Sequence, residues 1–288
     1  MVSGIGPKTR VLGLIGYPVE HSLSPAMINA AVDKLQLNMV YVPLATDPAE
    51  LPAAIAGIRA MGMAGVNVTI PHKEAVIPCL DSISNEARII GAVNTIVNQN
   101  GVLTGHNTDG KGFLMALAEA GFRIEGKRVV VLGAGGAARA VAVTCALGGA
   151  AEVIILNRTL TKARAIVSYI RHTTGVKSVA FEPDAGEVRE MFTGVDLVVN
   201  ATPVGMWPDV DRMPPIDPGL FHPGLCACDL IYNPVRTRFL MEAERIGCRV
   251  VPGLGMLVYQ GALAFQMWTG LPAPVDLMMD VVRRELGV

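Results

Sequence analysis

Three short polar segments near the start of the chain carry side chains able to move a proton or grip a small anion. In Asn67-Val68-Thr69-Ile70-Pro71-His72-Lys73, strand geometry puts Asn67 and Thr69 on one face and Val66, Val68 and Ile70 on the other. A buried strand seldom spends two polar side chains on one face without partners for them. Lys73 follows the end of that strand, where α/β folds place their active sites. On spacing alone it reads first as a surface lysine. In His21-Ser22-Leu23-Ser24-Pro25, Ser24 and Pro25 read as the cap and first residue of a helix. Two hydroxyls beside free helix N–H groups could equally bind a carboxylate. Gly105-His106-Asn107-Thr108-Asp109-Gly110 is a polar junction in which Asp109 is either a helix cap or a chemical group. His72 and His106 are isolated and receive no acid–base role.

A second kind of chemistry is written at Gly133-Ala134-Gly135-Gly136-Ala137-Ala138, directly after an apolar strand and opening an apolar helix. Glycines there allow a tight turn and bring backbone N–H groups close to a pyrophosphate, and the helix N-terminus favours the anion. The pattern departs from the usual GxGxxG, and a ligand-free strand-to-helix turn is the alternative. The end of the following strand discriminates between cofactors. Sites that prefer NAD place an acidic residue there for the ribose 2′-OH. This chain has Asn157-Arg158-Thr159, with Lys162 and Arg164 just beyond. An arginine can stack on adenine and hold a 2′-phosphate, so NADP(H) is the expected cofactor.

The elements that must position these groups alternate. Val11–Gly16, Met39–Leu44 and Ala64–Pro71 read as strands, with helices predicted over Pro25–Gln36 and Pro48–Met61. Gly91–Gly105 reads as a hairpin turning at Gln99-Asn100-Gly101, an antiparallel addition to an α/β arrangement. From Gly126 the βαβ alternation is purer, with later strands at Asp196–Thr202 and Ala227–Tyr232 and a helix over Thr161–Arg171. Val204–Gly224 is rich in Pro and Gly and reads as loop. A long helix after Gly253 and another over Val275–Leu286 close the sequence.

Bulk properties narrow the function classes. With 288 residues, two modest domains are expected. The 24 basic and 25 acidic residues leave a net charge of -1, no field for nucleic acid or an anionic membrane, and so a small-molecule partner. Hydrophobic content of 51% and a mean hydropathy of +0.43 raise the question of a membrane. The most apolar stretch, Val129–Leu156, is broken by Arg139, Glu152 and many glycines, short of the ~20 clean apolar residues a spanning helix needs. Parallel strands buried on both faces explain the excess, and a soluble protein is expected. Pro18 and Glu20 interrupt the apolar start, and no signal-peptide cleavage pattern follows. The five cysteines are scattered, Cys226 and Cys228 suiting one strand face, and buried or free thiols in a reducing cytoplasm are expected. No histidine or cysteine cluster suggests a metal.

Taken in order, GYPVEHSLSP, NVTIPHK, GAVNT, GHNTDG, GAGGAAR, NRT, NATPVGM, DLIYNP and GLGMLVYQGALAFQMWTG resemble the shikimate dehydrogenases over nearly the whole chain. Each piece is weak, but the ordered set is specific. The resemblance implies an α/β fold of two domains: a discontinuous substrate domain, 1–109 plus 254–288, and a Rossmann-type doubly wound NADP-binding domain, 110–253. It implies that Ser22 and Ser24 hold the carboxylate of shikimate or 3-dehydroshikimate. Asn67, Thr69, Asn94, Asp109, Tyr232 and Gln260 would surround the substrate, with Lys73 and Asp109 as the catalytic pair. It places Asn157, Arg158, Thr159 and Lys162 around the 2′-phosphate, and Thr202, Leu230 and Gly253 near the nicotinamide, with Gly133 to Ala137 at the pyrophosphate. The implied reaction is the NADPH-dependent reduction of a ketone to an alcohol in aromatic amino-acid biosynthesis, by an enzyme for which a homodimer is left open. HSLSP and IGYP also occur in the broader quinate/shikimate dehydrogenases, which often use NAD. Those typically carry an acidic residue near the adenosine, which NRT followed by Leu160, Thr161 and Lys162 lacks. A non-catalytic nucleotide-binding module would have no need of both Lys73 and Asp109.

Overall fold

Apolar runs form the strands of two six-stranded sheets in the computed structural model, which describes residues 4–288. The chain divides into two compact units: the part up to Gly112 together with Leu257–Val288, and Phe113–Met256.

In the first unit, β1 (Arg10–Gly16) pairs in parallel with β2 (Met39–Ala45) and β3 (Gly65–Val68). β4 (Ser82–Ile83), β5 (Thr95–Gln99) and β6 (Val102–His106) complete a sheet of order β2-β1-β3-β5-β6-β4. Only β5 runs antiparallel to its neighbours, the product of the expected hairpin, whose turn residue Asn100 has φ +55°. Helices α1 (Ser24–Lys34), α2 (Leu51–Ala60) and α3 (Asn85–Ile90) belong here, and Leu51, Ile55 and Ile58 of α2 pack on Ile15, Val66, Val68 and Ile96 of the sheet. Burying such side chains contributes roughly 1.5–3 kcal/mol each.

The second unit contains β7 (Arg128–Leu132), β8 (Glu152–Leu156), β9 (Lys177–Phe181), β10 (Leu197–Asn200), β11 (Cys226–Asp229) and β12 (Arg249–Val251), all parallel. Their order, β12-β11-β10-β7-β8-β9, reverses direction between β7 and β10. That is the doubly wound dinucleotide-binding order, whose ligand crevice lies at the carboxyl ends of the two strands where the winding switches. The remaining helices are α4 (Asp109–Glu119), α5 (Gly136–Leu147), α6 (Leu160–Thr174), α7 (Val188–Met191), α8 (Arg238–Ile246), α9 (Leu254–Thr269) and α10 (Val275–Leu286). Both unit boundaries fall inside helices, α4 and α9. β7, β8, β10 and β11 are buried, with Val130, Ile154, Val198 and Ala227 in one core beneath Phe239 and Leu240 of α8.

Several expectations need correction. The strand expected over Ala64–Pro71 ends at Val68, because His72 N–H closes a turn on the Thr69 carbonyl at 2.9 Å. β9 and β12 were not foreseen; as sheet-edge strands they need fewer buried side chains, and both begin with an exposed cation. α6 runs on to Thr174, where Gly175 supplies a left-handed end at φ +72°. All five cysteines are free, and no helix among the described residues is long and apolar enough to cross a membrane.

Candidate active site

The polar segments of the first unit converge on one ion pair. Lys73 Nζ donates to Asp109 Oδ2 at 2.7 Å, with 18% of the lysine side chain and 6% of the aspartate side chain exposed. The Lys73 carbonyl accepts the Val93 N–H at 2.8 Å, which ties the residue to the strand entering β5. Asn94 donates through Nδ2 to Asp109 Oδ1 at 2.8 Å, so both carboxylate oxygens are held. Gln260 Oε1 lies 3.4 Å from the same Asn94 nitrogen.

Asp109 is the first residue of α4, and its carboxylate oxygens bond Lys73 and Asn94. Asn107 does the capping: its Oδ1 accepts the Asp109 N–H at 3.1 Å while its Nδ2 donates to the Ala92 carbonyl at 2.9 Å. Ser24 likewise departs from expectation. Leu23 is the cap residue of α1, Ser24 is the first helical residue, and the Ser22 hydroxyl accepts the Ser24 N–H at 3.3 Å. The Ser24 hydroxyl is therefore not used to cap the helix. His72 is buried with Nε2 2.8 Å from the Thr46 carbonyl, a structural tie.

Asn67 is fully engaged. Its Oδ1 accepts from the Tyr41 hydroxyl at 2.8 Å, and its Nδ2 donates to the Asn94 carbonyl and to Thr95 Oγ1, both at 3.1 Å. Thr69 is half-buried at the end of β3, anchored by its N–H to the Ile15 carbonyl at 2.9 Å. The sequence reading missed Tyr41, Thr95 and Thr108. Thr95 and Thr108 adjoin flagged residues in GAVNT and GHNTDG. Tyr41 could have been found as the polar-tipped residue two along from Met39 on the buried face of β2.

The second unit presents a different chemistry at the switch between β7 and β10. Gly133 has φ +110°, and a side chain there would stand 3.0 Å from the Ala201 carbonyl oxygen and 3.2 Å from the Thr202 methyl. Gly135 is extended, and no protein atom lies within 4 Å of where its Cβ would be. The opening over Gly135 faces the start of α5, whose first-turn N–H groups, on Gly136 and Ala137 among others, have no partners inside the helix. A pyrophosphate fits this donor set.

Around it, Thr202 and Asn200 are bonded side chain to side chain at 2.7 Å, and Leu230 N–H reaches the Asn200 carbonyl at 3.0 Å. At Gly253 a Cβ would lie 2.5 Å from the Leu230 carbonyl oxygen, so only glycine permits that approach. Thr202, Leu230 and Gly253 thus gather at the carboxyl ends of β10, β11 and β12. Tyr232 follows two residues after Leu230, half-buried, its hydroxyl pKa raised by burial. At the end of β8, Asn157 Nδ2 donates to the Thr159 carbonyl at 2.9 Å, leaving Arg158 and Lys162 exposed at the start of α6. Two cations and a helix N-terminus suit a phosphate monoester.

Comparison with known proteins gives the family. Residues 14–96 match the shikimate dehydrogenase substrate-binding domain, 116–204 the shikimate/quinate 5-dehydrogenase family, and 253–283 the shikimate 5′-dehydrogenase C-terminal domain. A shikimate dehydrogenase (NADP+) of Desulforamulus reducens is 50% identical, with 98% of each chain covered. The chain belongs to the shikimate dehydrogenase family.

A crystal structure of a shikimate dehydrogenase in complex with NADP+ superposes with a TM-score of 0.92 at 42% identity, covering 99% of each chain. The shikimate dehydrogenase of Thermus thermophilus, solved with NADP(H) and shikimate, gives a TM-score of 0.85 at 41% identity, covering 96% of this chain and 99% of that one. As a family member this chain is an NADP-dependent oxidoreductase acting on a CH–OH group. The stretch that matches the substrate-binding domain contains Lys73, and the stretch that matches the shikimate/quinate 5-dehydrogenase family contains the glycine turn.

Proposed function

We propose that this chain interconverts 3-dehydroshikimate and shikimate with NADP(H), Lys73 and Asp109 handling the proton. The 2.7 Å Lys73–Asp109 pair, with both carboxylate oxygens fixed, carries the reading. When bound, NADP(H) supplies the hydride exchanged with the substrate carbon. The substrate oxygen must gain or lose a proton in step, and the Lys73 ammonium can donate it while Asp109 orients the oxygen and stabilises the lysine charge. Ser22 and Ser24 suit the substrate carboxylate, and Asn67, Thr69, Asn94, Tyr232 and Gln260 the remaining polar contacts. Asn67 acts in this reading chiefly by holding Asn94 and Thr95. Asn157, Arg158, Thr159 and Lys162 take the 2′-phosphate, Gly133 to Ala137 the pyrophosphate, and Thr202, Leu230 and Gly253 the nicotinamide. The functional division, 1–109 with 254–288 against 110–253, differs from the compact units by three residues at each crossing, 109 against 112 and 253 against 256. Five reduced thiols are in keeping with a cytoplasmic enzyme.

The test is the initial rate of nicotinamide absorbance change with shikimate or quinate, each paired with NADP or NAD. Turnover confined largely to shikimate with NADP is expected, because no acidic residue follows β8 where a ribose 2′-OH would need one. Comparable rates with quinate and NAD would instead move the chain to the broader quinate/shikimate type.

A further inference from the structure

We propose that Tyr41, buried beneath the site, is a positioning residue for Asp109, acting through a one-way chain of hydrogen bonds that begins at its hydroxyl. The inference rests on the proposed reaction and concerns a residue with no access to the substrate, being 1% exposed.

Two backbone groups fix the direction of the chain. The Asn94 carbonyl can only accept, so the Asn67 atom 3.1 Å from it is the amide nitrogen and Asn67 Oδ1 must accept from Tyr41. The Thr108 N–H can only donate, so the Asn94 atom 2.8 Å from it is the amide oxygen. Asn94 Nδ2 then faces Asp109 Oδ1 at 2.8 Å. Between the two amides, Thr95 Oγ1 accepts from Asn67 Nδ2 and donates its own proton to Asn94 Oδ1, each at 3.1 Å. Every proton points the same way: Tyr41 to Asn67, Asn67 to Thr95, Thr95 to Asn94, Asn94 to Asp109.

Tyr41 is the fixed end of this chain. Its backbone N–H and C=O are clamped by the Asn29 side chain at 2.9 Å each, and its ring packs against Trp268 at a centroid distance of 6.0 Å. Its single hydroxyl proton is committed to Asn67. Losing the tyrosine hydroxyl leaves Asn67 Oδ1 buried without a donor. The amide then loses its fixed orientation, which loosens Thr95 and, through it, the hold of Asn94 on the Asp109 oxygen.

The experiment compares wild type, Tyr41→Phe, Thr95→Val and the double variant in full-chain enzyme, measuring kcat, both KM values and thermal midpoint. Each single variant should lower kcat about tenfold, the scale of one lost buried hydrogen bond, with KM for NADP unchanged and KM for shikimate within about twofold. The double variant should lose no more than either single one, because both cut the same chain. Losses that multiply, or a lowered midpoint with wild-type kcat below it, would overturn the proposal. If Tyr41→Phe fails to fold, Thr95→Val decides alone, and full kcat in it overturns the proposal. A wild type inactive with shikimate and NADP would sink the proposed reaction itself, a result distinguishable from either.

Discussion

Lys73 shows how much a single residue's meaning depends on its neighbours. An exposed lysine paired with an aspartate contributes at most about 1 kcal/mol to stability. Here the carboxylate is 6% exposed and its other oxygen is already taken by Asn94, so the pair is held in one geometry instead of fluctuating in water. Such a lysine is suited to proton transfer, which depends on a donor standing at a fixed distance from the reacting oxygen. Substrate affinity rests in the proposed site on the hydroxyls of Ser22 and Ser24 and on the amides, none of which needs the ammonium. Lys73→Ala is therefore expected to lower kcat by roughly 10²–10⁴-fold with little change in KM for shikimate. Steady-state kinetics on the purified variant check this; an intact kcat with a large rise in KM would make Lys73 a binding group.

At the scale of the element, the strand–turn–helix from β7 to α5 separates two reasons for a glycine. Gly133 is required by the chain itself: φ is +110° and a Cβ would press on the Ala201 carbonyl at 3.0 Å. Gly135 is extended at φ -86° with open space above it, so the chain would accept any residue there. Gly133→Ala is expected to cost about 1–3 kcal/mol of stability through backbone strain. Gly135→Val should keep the wild-type melting temperature but raise the Kd for NADP at least about tenfold, since the side chain fills the phosphate approach. Melting curves and titration calorimetry read the two effects separately, and a normal Kd in Gly135→Val would remove the cofactor from this turn. That turn was legible in the sequence because its signal is local, an apolar strand, glycines and an apolar helix within a short stretch of chain. The parallel strands were legible for the same reason. β9 and β12 were not: edge strands such as KSVAF and RVV are stabilised by pairing with strands distant in sequence. The cap at Ser24 was misread because Ser22, two residues earlier, supplies the acceptor. Tyr41 escaped notice because its partner Asn67 lies 26 residues away, and nothing in MVYVPL says where a buried hydroxyl will point.

For the whole molecule, a net charge of -1 gives overall repulsion little leverage near neutrality, so individual buried carboxylates should set the pH dependence of stability. The Rossmann-like sheet carries one at each end, with opposite signs. Glu152, aligned in register between Arg128 and Lys177, stands at the start of β8. Burial opposes its charge, but the Lys177 ammonium 2.9 Å away and a hydrogen bond from Arg128 at 2.8 Å outweigh it and hold its pKa below the ordinary 4.5. Its stabilisation is complete above that value and is lost as pH falls through the lowered one. Asp229, at the end of β11, is pushed by burial from 3.8 up to about 6, against the bonds from Thr237, Ile231 N–H and Asn200. The folded state there binds its proton more tightly than the unfolded state, so stability falls as pH rises between 3.8 and about 6, by on the order of 2–3 kcal/mol. Unfolding free energies measured from acid to neutral pH, compared between wild type and each variant, isolate the two groups from the other carboxylates. Asp229→Asn should flatten the slope between 3.8 and about 6, and Glu152→Gln should weaken the protein at neutral pH while sparing it part of the loss below 4.5. If Asp229→Asn leaves the acid-side slope unchanged, the carboxylate joining β10 to β11 is not the group that titrates, and the clamp behind Thr202 and Leu230 is already ionised throughout.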